Sequence, residues 1–120
     1  MSDVPPVMDP AAVVRLQRLG GDKLVRQMIR LYLENAGERL GQIDAGIPDG
    51  ADLEETRRGA HSLKSSAANV GALRVSALAA DLETVSQAGD RIAARSLRDD
   101  LAVALEEARV RLDALTEELA

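Results

Sequence analysis

The chain holds one histidine, His61, and the residues around it suggest what chemistry it could do. Positions three and four residues away share its face of a helix: Arg57, Arg58, Lys64 and Ser65, with Ala68 two turns along. Three cations beside an imidazole disfavour its protonated form, and the neutral ring is a nucleophile. The same cations would offset the charge of a phosphoryl group on a ring nitrogen. Ser65 and Ala68 are small and keep the next turn low, so another protein's surface could approach the ring. A lone helical histidine is more often structural or incidental, so these surroundings carry the reading.

The charge pattern agrees. From Thr56 to Ala80 the bases Arg57, Arg58, Lys64 and Arg74 meet no acid, a stretch of +4 in a chain of net charge −5. Such an island can attract a phosphate or an acidic partner pocket. Other chemistries fall away. The absence of cysteine excludes disulfides, thiolate catalysis and Cys-based metal sites. One histidine cannot supply the paired ligands of a di-iron bundle. No Gly-rich strand–turn–helix loop offers a nucleotide site. No apolar run approaches a membrane span, and no signal-peptide core opens the chain. The acidic balance argues against nucleic acid. Serines 62, 65 and 66 read as small helix residues rather than nucleophiles. The acids of the last segment, Asp99 to Glu118, read as a solvated face. The chain is expected to be cytoplasmic.

The elements that must position His61 are helices. Of 120 residues, 46% are hydrophobic and 29% charged, which is globular composition, yet only 1% are aromatic. Tyr32 stands alone, so the core must come from Leu, Val, Ile, Met and Ala, residues that suit closely packed helices. Residues 1–8 read as a flexible lead, followed by a single domain over 9–120. Asp9-Pro10 caps a short helix that Gly20-Gly21 should stop. A second helix is predicted from Asp22 to near Ala45, with Val25, Ile29, Tyr32, Ala36, Leu40 and Ile43 on one face. Asp52-x-x-Glu55 opens the next, whose inner stripe runs Leu53, Thr56, Ala60, Leu63, Ala67, Val70 and ends at Gly71. His61 lies about 200° from Leu63 at roughly 100° per residue, and so points away from the core. Further helices are predicted from Ala72 to Gln87 and from Asp90 to Glu118. The fold class is all-α: an up-down antiparallel four-helix bundle, its short N-terminal helix covering one end.

The stretch Ala60-His61-Ser62-Leu63-Lys64-Ser65-Ser66-Ala67-Ala68-Asn69-Val70-Gly71-Ala72 resembles the signature of histidine-containing phosphotransfer (HPt) domains of bacterial two-component phosphorelays. Those read His-x-Leu-Lys-Gly-Ser, then small residues, then Asn-Leu-Gly. The Asp-Pro start, Leu19-Gly20-Gly21, Leu31-Tyr32-Leu33-Glu34 and Leu78-x-x-x-Leu82-Glu83 extend the likeness over roughly 9–118.

The resemblance implies a four-helix carrier that accepts a phosphoryl group from a receiver-domain aspartate and passes it to another receiver. His61 matches the phospho-accepting histidine, and Lys64 the lysine that assists electrostatically. Ser65 replaces the usual glycine, which could exclude a partner that packs tightly there. Glu83 falls where members often place a polar residue, commonly glutamine, that hydrogen-bonds the ring. The partner receiver is expected to supply Mg2+, the chain needing no cofactor of its own. It is expected to lack ATP-binding and autokinase activity, and to be a phosphoryl carrier rather than an enzyme in the usual sense. Arg57, Arg58, Ser65 and Ala68 are the predicted partner-binding residues, with Leu24 and Met28 as further candidates that could equally be core. Response-regulator receivers, or the receiver of a hybrid histidine kinase, are the expected partners of a monomer without nucleic-acid or membrane binding. Two other readings stand beside this one. A bundle with an idle His61 that only binds a partner is disfavoured by the intact His61–Lys64 pair. A hydrolase using His61 as general base is disfavoured by the convex helix face, since enzyme sites are concave.

Overall fold

The computed structural model describes residues 4–119, and all the regular structure among them is helical. Four helices follow in order: α1 (Pro10–Gly46), α2 (Leu53–Asn69), α3 (Leu73–Gln87) and α4 (Arg91–Leu119). Each packs on the next, and α4 closes back on α1.

Local signals explain where the helices start. The Asp9 side chain accepts from the backbone N–H of Ala11 at 3.0 Å with Pro10 at the first helical position. Asp52 caps α2 through the N–H of Glu54 at 3.0 Å, and Asp90 caps α4 through Ala93 at 3.1 Å. The chain leaves α2 through Gly71, whose φ of 80° is left-handed.

The predicted stop at Gly20-Gly21 falls where two helical segments meet at a kink inside α1. Gly21 alone takes non-helical angles (φ 70, ψ −169), and the helix resumes at once, with no loop between. The described part of the predicted flexible lead, residues 4–8, is tied down; residues 1–3 lie outside the described residues. Val7 is buried, and the Pro5 carbonyl accepts from Arg74 Nε at 3.0 Å. Asp9 N–H then donates to the Gly71 carbonyl at 2.8 Å, and the neighbouring Ala12 is buried, so the start of α1 seats on the α2–α3 turn.

The core is aliphatic, as the composition requires. Val25, Ile29, Tyr32 and Ile43 of α1 meet Ala60, Leu63 and Ala67 of α2 in one cluster with Val75, Leu82, Leu101 and Leu112. Leu40, Leu78 and Val85, placed on inner faces by their spacing, are only half-buried. Thr56, the polar member of the α2 stripe, is fully buried because its hydroxyl donates to the Ile43 carbonyl at 2.8 Å. At the far end Arg91 donates to the carbonyls of Gly46, Ile47 and Pro48 (2.7–2.8 Å) and of Ala51 (2.9 Å), tying the α1–α2 loop to α4.

Candidate functional site

His61 stands on the outer face of α2, its side chain 61% exposed. Its inward neighbours Ala60 and Leu63 are fully buried, so the core fixes the helix while the ring stays outside it. Helix α3 brings up Glu83, whose side chain is only 16% exposed. The register between α2 and α3 is pinned by Ser76, whose hydroxyl donates to the Lys64 carbonyl at 2.9 Å. Ser76 and Glu83 are seven residues apart, two turns on the same face of α3, so that bond also sets where Glu83 meets α2.

Glu83 is the hub of the site. Its Oε2 lies 2.5 Å from His61 Nδ1, and its Oε1 accepts from Lys64 Nζ at 2.7 Å. Arg57 Nη1 approaches Oε2 at 3.8 Å. The hydrogen bond from Lys64 is the largest influence holding the Glu83 carboxyl below the usual carboxylate range; the bond to His61 acts in the same direction against partial desolvation. An ionised carboxylate can only accept, so Nδ1 is the nitrogen that donates. In the neutral ring this leaves the lone pair on Nε2, at the side of the exposed ring away from Glu83. The arrangement can present an oriented nitrogen nucleophile with a cation beside it.

The sequence grouped Arg57, Arg58, Lys64 and Arg74 as a positive island. The structure gives each of them a carboxylate. Arg57 Nε donates to both oxygens of Glu54 at 2.8 and 2.9 Å, and Arg58 pairs with Glu55 at 3.0 Å. Lys64 takes Glu83, and Arg74 takes Glu107 at 3.0 Å. All four acids lie outside the 56–80 stretch and reach it across a helical turn or between helices. The ring therefore faces a carboxylate framed by Lys64 and Arg57, while Arg58 pairs with Glu54 and Glu55 instead. Glu54 and Glu55 stand one turn before Arg57 and Arg58 on α2, as helical spacing predicts, whereas Glu83 and Glu107 reach Lys64 and Arg74 from other helices, which periodicity along one helix does not show.

The other predicted residues separate into two groups. Ser65 and Ala68 are exposed beside His61. Leu24 and Met28 are half-buried, and Met28 packs against the core. Leu31, one turn on from Met28, is 57% exposed. Met28, Leu31 and Asn35 of α1 line a small cleft of about 80 Å³ with Ser66 and Asn69 of α2. The sequence singled out Leu31 only within the family likeness; its surface position comes from its place on the outer side of α1.

The family model of the Hpt domain matches residues 27–120, most of the chain and all of the site. The chain is an Hpt domain. It thereby belongs to a family of histidine phosphotransfer carriers in phosphorelays. Among solved structures, it is similar to histidine-containing phosphotransfer protein B (HptB) from Pseudomonas aeruginosa PAO1, with a TM-score of 0.87 and 22% identity over 94% of this chain and 96% of that one. A putative histidine-containing phosphotransfer protein from rice matches with a TM-score of 0.81 and 18% identity, covering 94% of this Hpt domain and 82% of the rice chain. ZmHP2 from maize matches at 0.80 and 20%, covering 94% and 84%. These identities speak for the fold alone. No sequence among curated proteins matches it.

Proposed function

We propose that His61 accepts a phosphoryl group from the aspartate of one receiver domain and passes it to another. The observation that carries this reading is the Nδ1–Glu83 hydrogen bond, which directs the free Nε2 outward from an exposed helix face. Phosphoryl transfer asks mainly for positioning and charge stabilisation. Nε2 attacks in line, Glu83 holds the ring, and Lys64 leans toward the incoming phosphoryl oxygens from one turn away. Both donor and product are high-energy phosphoryl compounds, so the step runs in either direction.

The residues around His61 do not fit a magnesium ion of their own. Glu83 is the carboxylate at the ring, and both its oxygens are already engaged. The ion belongs with the receiver in this reading, together with the acidic pocket. The chain neither binds ATP nor phosphorylates itself. It acts as a cytoplasmic monomer on an up-down bundle, the segment before Gly21 covering one end, and it binds neither nucleic acid nor membrane. No helix among the described residues is long and apolar enough to cross a membrane.

The docking surface is centred on Ser65 and Ala68, with Arg57 and Arg58 at its rim and Leu31 as its apolar contribution from α1. Transient encounters of this kind use small interfaces with an apolar centre and polar rim. The test is incubation with phosphorylated receiver domains. Acid-labile, alkali-stable label on the wild type, absent from His61→Gln, supports the reading. Label persisting on that variant overturns it.

A further inference from the structure

We propose that the negative charge of Glu83, beyond its hydrogen bond, draws the phosphoryl equilibrium toward His61. The inference rests on the reading of His61 as phosphoryl acceptor and deepens it.

The electron count shows where charge appears. The Nε2 lone pair forms the N–P bond, the bond between phosphorus and the receiver's aspartate oxygen breaks, and its electron pair leaves with that carboxylate. Nδ1 keeps its proton throughout, so the ring gains positive charge as the N–P bond forms. That charge arises 2.5 Å from Glu83 Oε2. The phosphoryl oxygens lie beyond the opposite ring nitrogen, so the width of the imidazole separates them from the carboxylate. Glu83 therefore gains more from the ring than it loses to the phosphoryl group. An amide at position 83 would accept the same hydrogen bond without supplying the charge. Hydrogen bonds to charged groups exceed neutral ones by about 1 kcal/mol, which corresponds to roughly five- to tenfold in an equilibrium constant.

The neighbours of Glu83 give the proposal a second sign. Lys64 at 2.7 Å and Arg57 at 3.8 Å share the carboxylate with the ring. Removing the Arg57 charge leaves more of the Glu83 charge uncompensated beside His61. Arg57 is held by Glu54 and by the Glu83 oxygen at Nδ1, on the carboxylate side of the ring rather than beside the phosphoryl group on Nε2. Arg57→Gln therefore acts opposite to Glu83→Gln, and more weakly, because the pair is long and partly solvated.

The experiment mixes the full chain with one phosphorylated receiver domain and follows ³²P partition to equilibrium. The partition constant compares free species, so it does not depend on how tightly the two proteins dock. Circular dichroism checks that each variant is folded. Glu83→Gln is expected to lower the partition toward His61 roughly five- to tenfold, and Arg57→Gln to raise it about twofold. An unchanged constant in Glu83→Gln, or a fall in both variants, overturns the proposal. Should Glu83→Gln not fold, the direction of the Arg57→Gln shift decides alone. A wild type that takes no label from any receiver refutes the acceptor role itself. A wild type that takes label with an unchanged variant constant refutes only the role of the Glu83 charge.

Discussion

Two clusters of cations and oxygens sit at different places in this bundle and do different work. On the α2–α3 seam, Glu83 gathers His61, Lys64 and Arg57 at a face where the ring is 61% exposed. At the other, Arg91 closes the α1–α2 loop onto α4 by donating to four backbone carbonyls. Arg91 satisfies acceptors that the end of α1 and the loop would otherwise leave without partners in a half-buried place. The Glu83 cluster joins side chains that water could solvate almost as well, so its bonds add little to folding. Charge density does not distinguish these two roles. What distinguishes them is the partner: backbone groups that must be satisfied at one, a reactive ring held open at the other.

The contrast is broken most sharply by His61→Gln. It should abolish phosphoryl acceptance entirely and leave thermal unfolding within about 0.5 kcal/mol of wild type, as exposed substitutions usually do. A large loss of stability in that variant would make the ring a structural element. Arg91→Ala should do the reverse. Deleting a charged donor from several half-buried carbonyls costs about 2–3 kcal/mol, read as a lower denaturation midpoint, while phosphoryl acceptance by the folded protein persists. Next in size is Lys64→Ala, expected to slow transfer about tenfold or more with little change in complex formation, measured by rapid-quench kinetics beside a binding titration. A wild-type rate would leave Lys64 as a partner of Glu83 only.

The smallest effect concerns pH. Lys64 is the main cause of the low Glu83 carboxyl, so the folded value lies below the unfolded one. Stability from this source is fully present above the ordinary carboxylate range and is lost as pH falls through the folded value. A carbon-detected NMR titration of Glu83 should show the low midpoint, and Lys64→Ala should move it up toward the ordinary range. An unmoved midpoint would assign the shift to His61 or Arg57 instead.

Much of the frame was legible in residue spacing. Asp9-Pro10, Asp52 and the alternating stripe from Leu53 to Val70 announce helix starts and faces through local rules, and the structure follows them. His61 was legible because it is a reactive type placed opposite a buried stripe. The pairing of Glu83 with His61 was expected from the family resemblance and not from spacing, and the Lys64–Glu83 pair was not expected at all, since those residues are 22 and 19 positions apart and their distances depend on how α3 docks. Ser76, which pins that docking, looks like any helical serine. The docked lead was hidden for the same reason: Arg74 lies 69 residues from the Pro5 carbonyl it holds. Gly21 shows a subtler limit. Two adjacent glycines signal a break, but whether the chain turns or merely kinks depends on the packing at each side.

The central claim is that His61 is a phosphoryl acceptor served by receiver aspartates, and the most direct measurement is phosphotransfer from a panel of phosphorylated receivers, with His61→Gln alongside. Acid-labile, alkali-stable label on the wild type and none on the variant is the predicted result. Label on both would place the acceptor elsewhere. Label on neither, from any receiver, would leave a binding module with an idle histidine, and Ser65→Gly would then ask whether the hydroxymethyl beside the ring is what bars the partner.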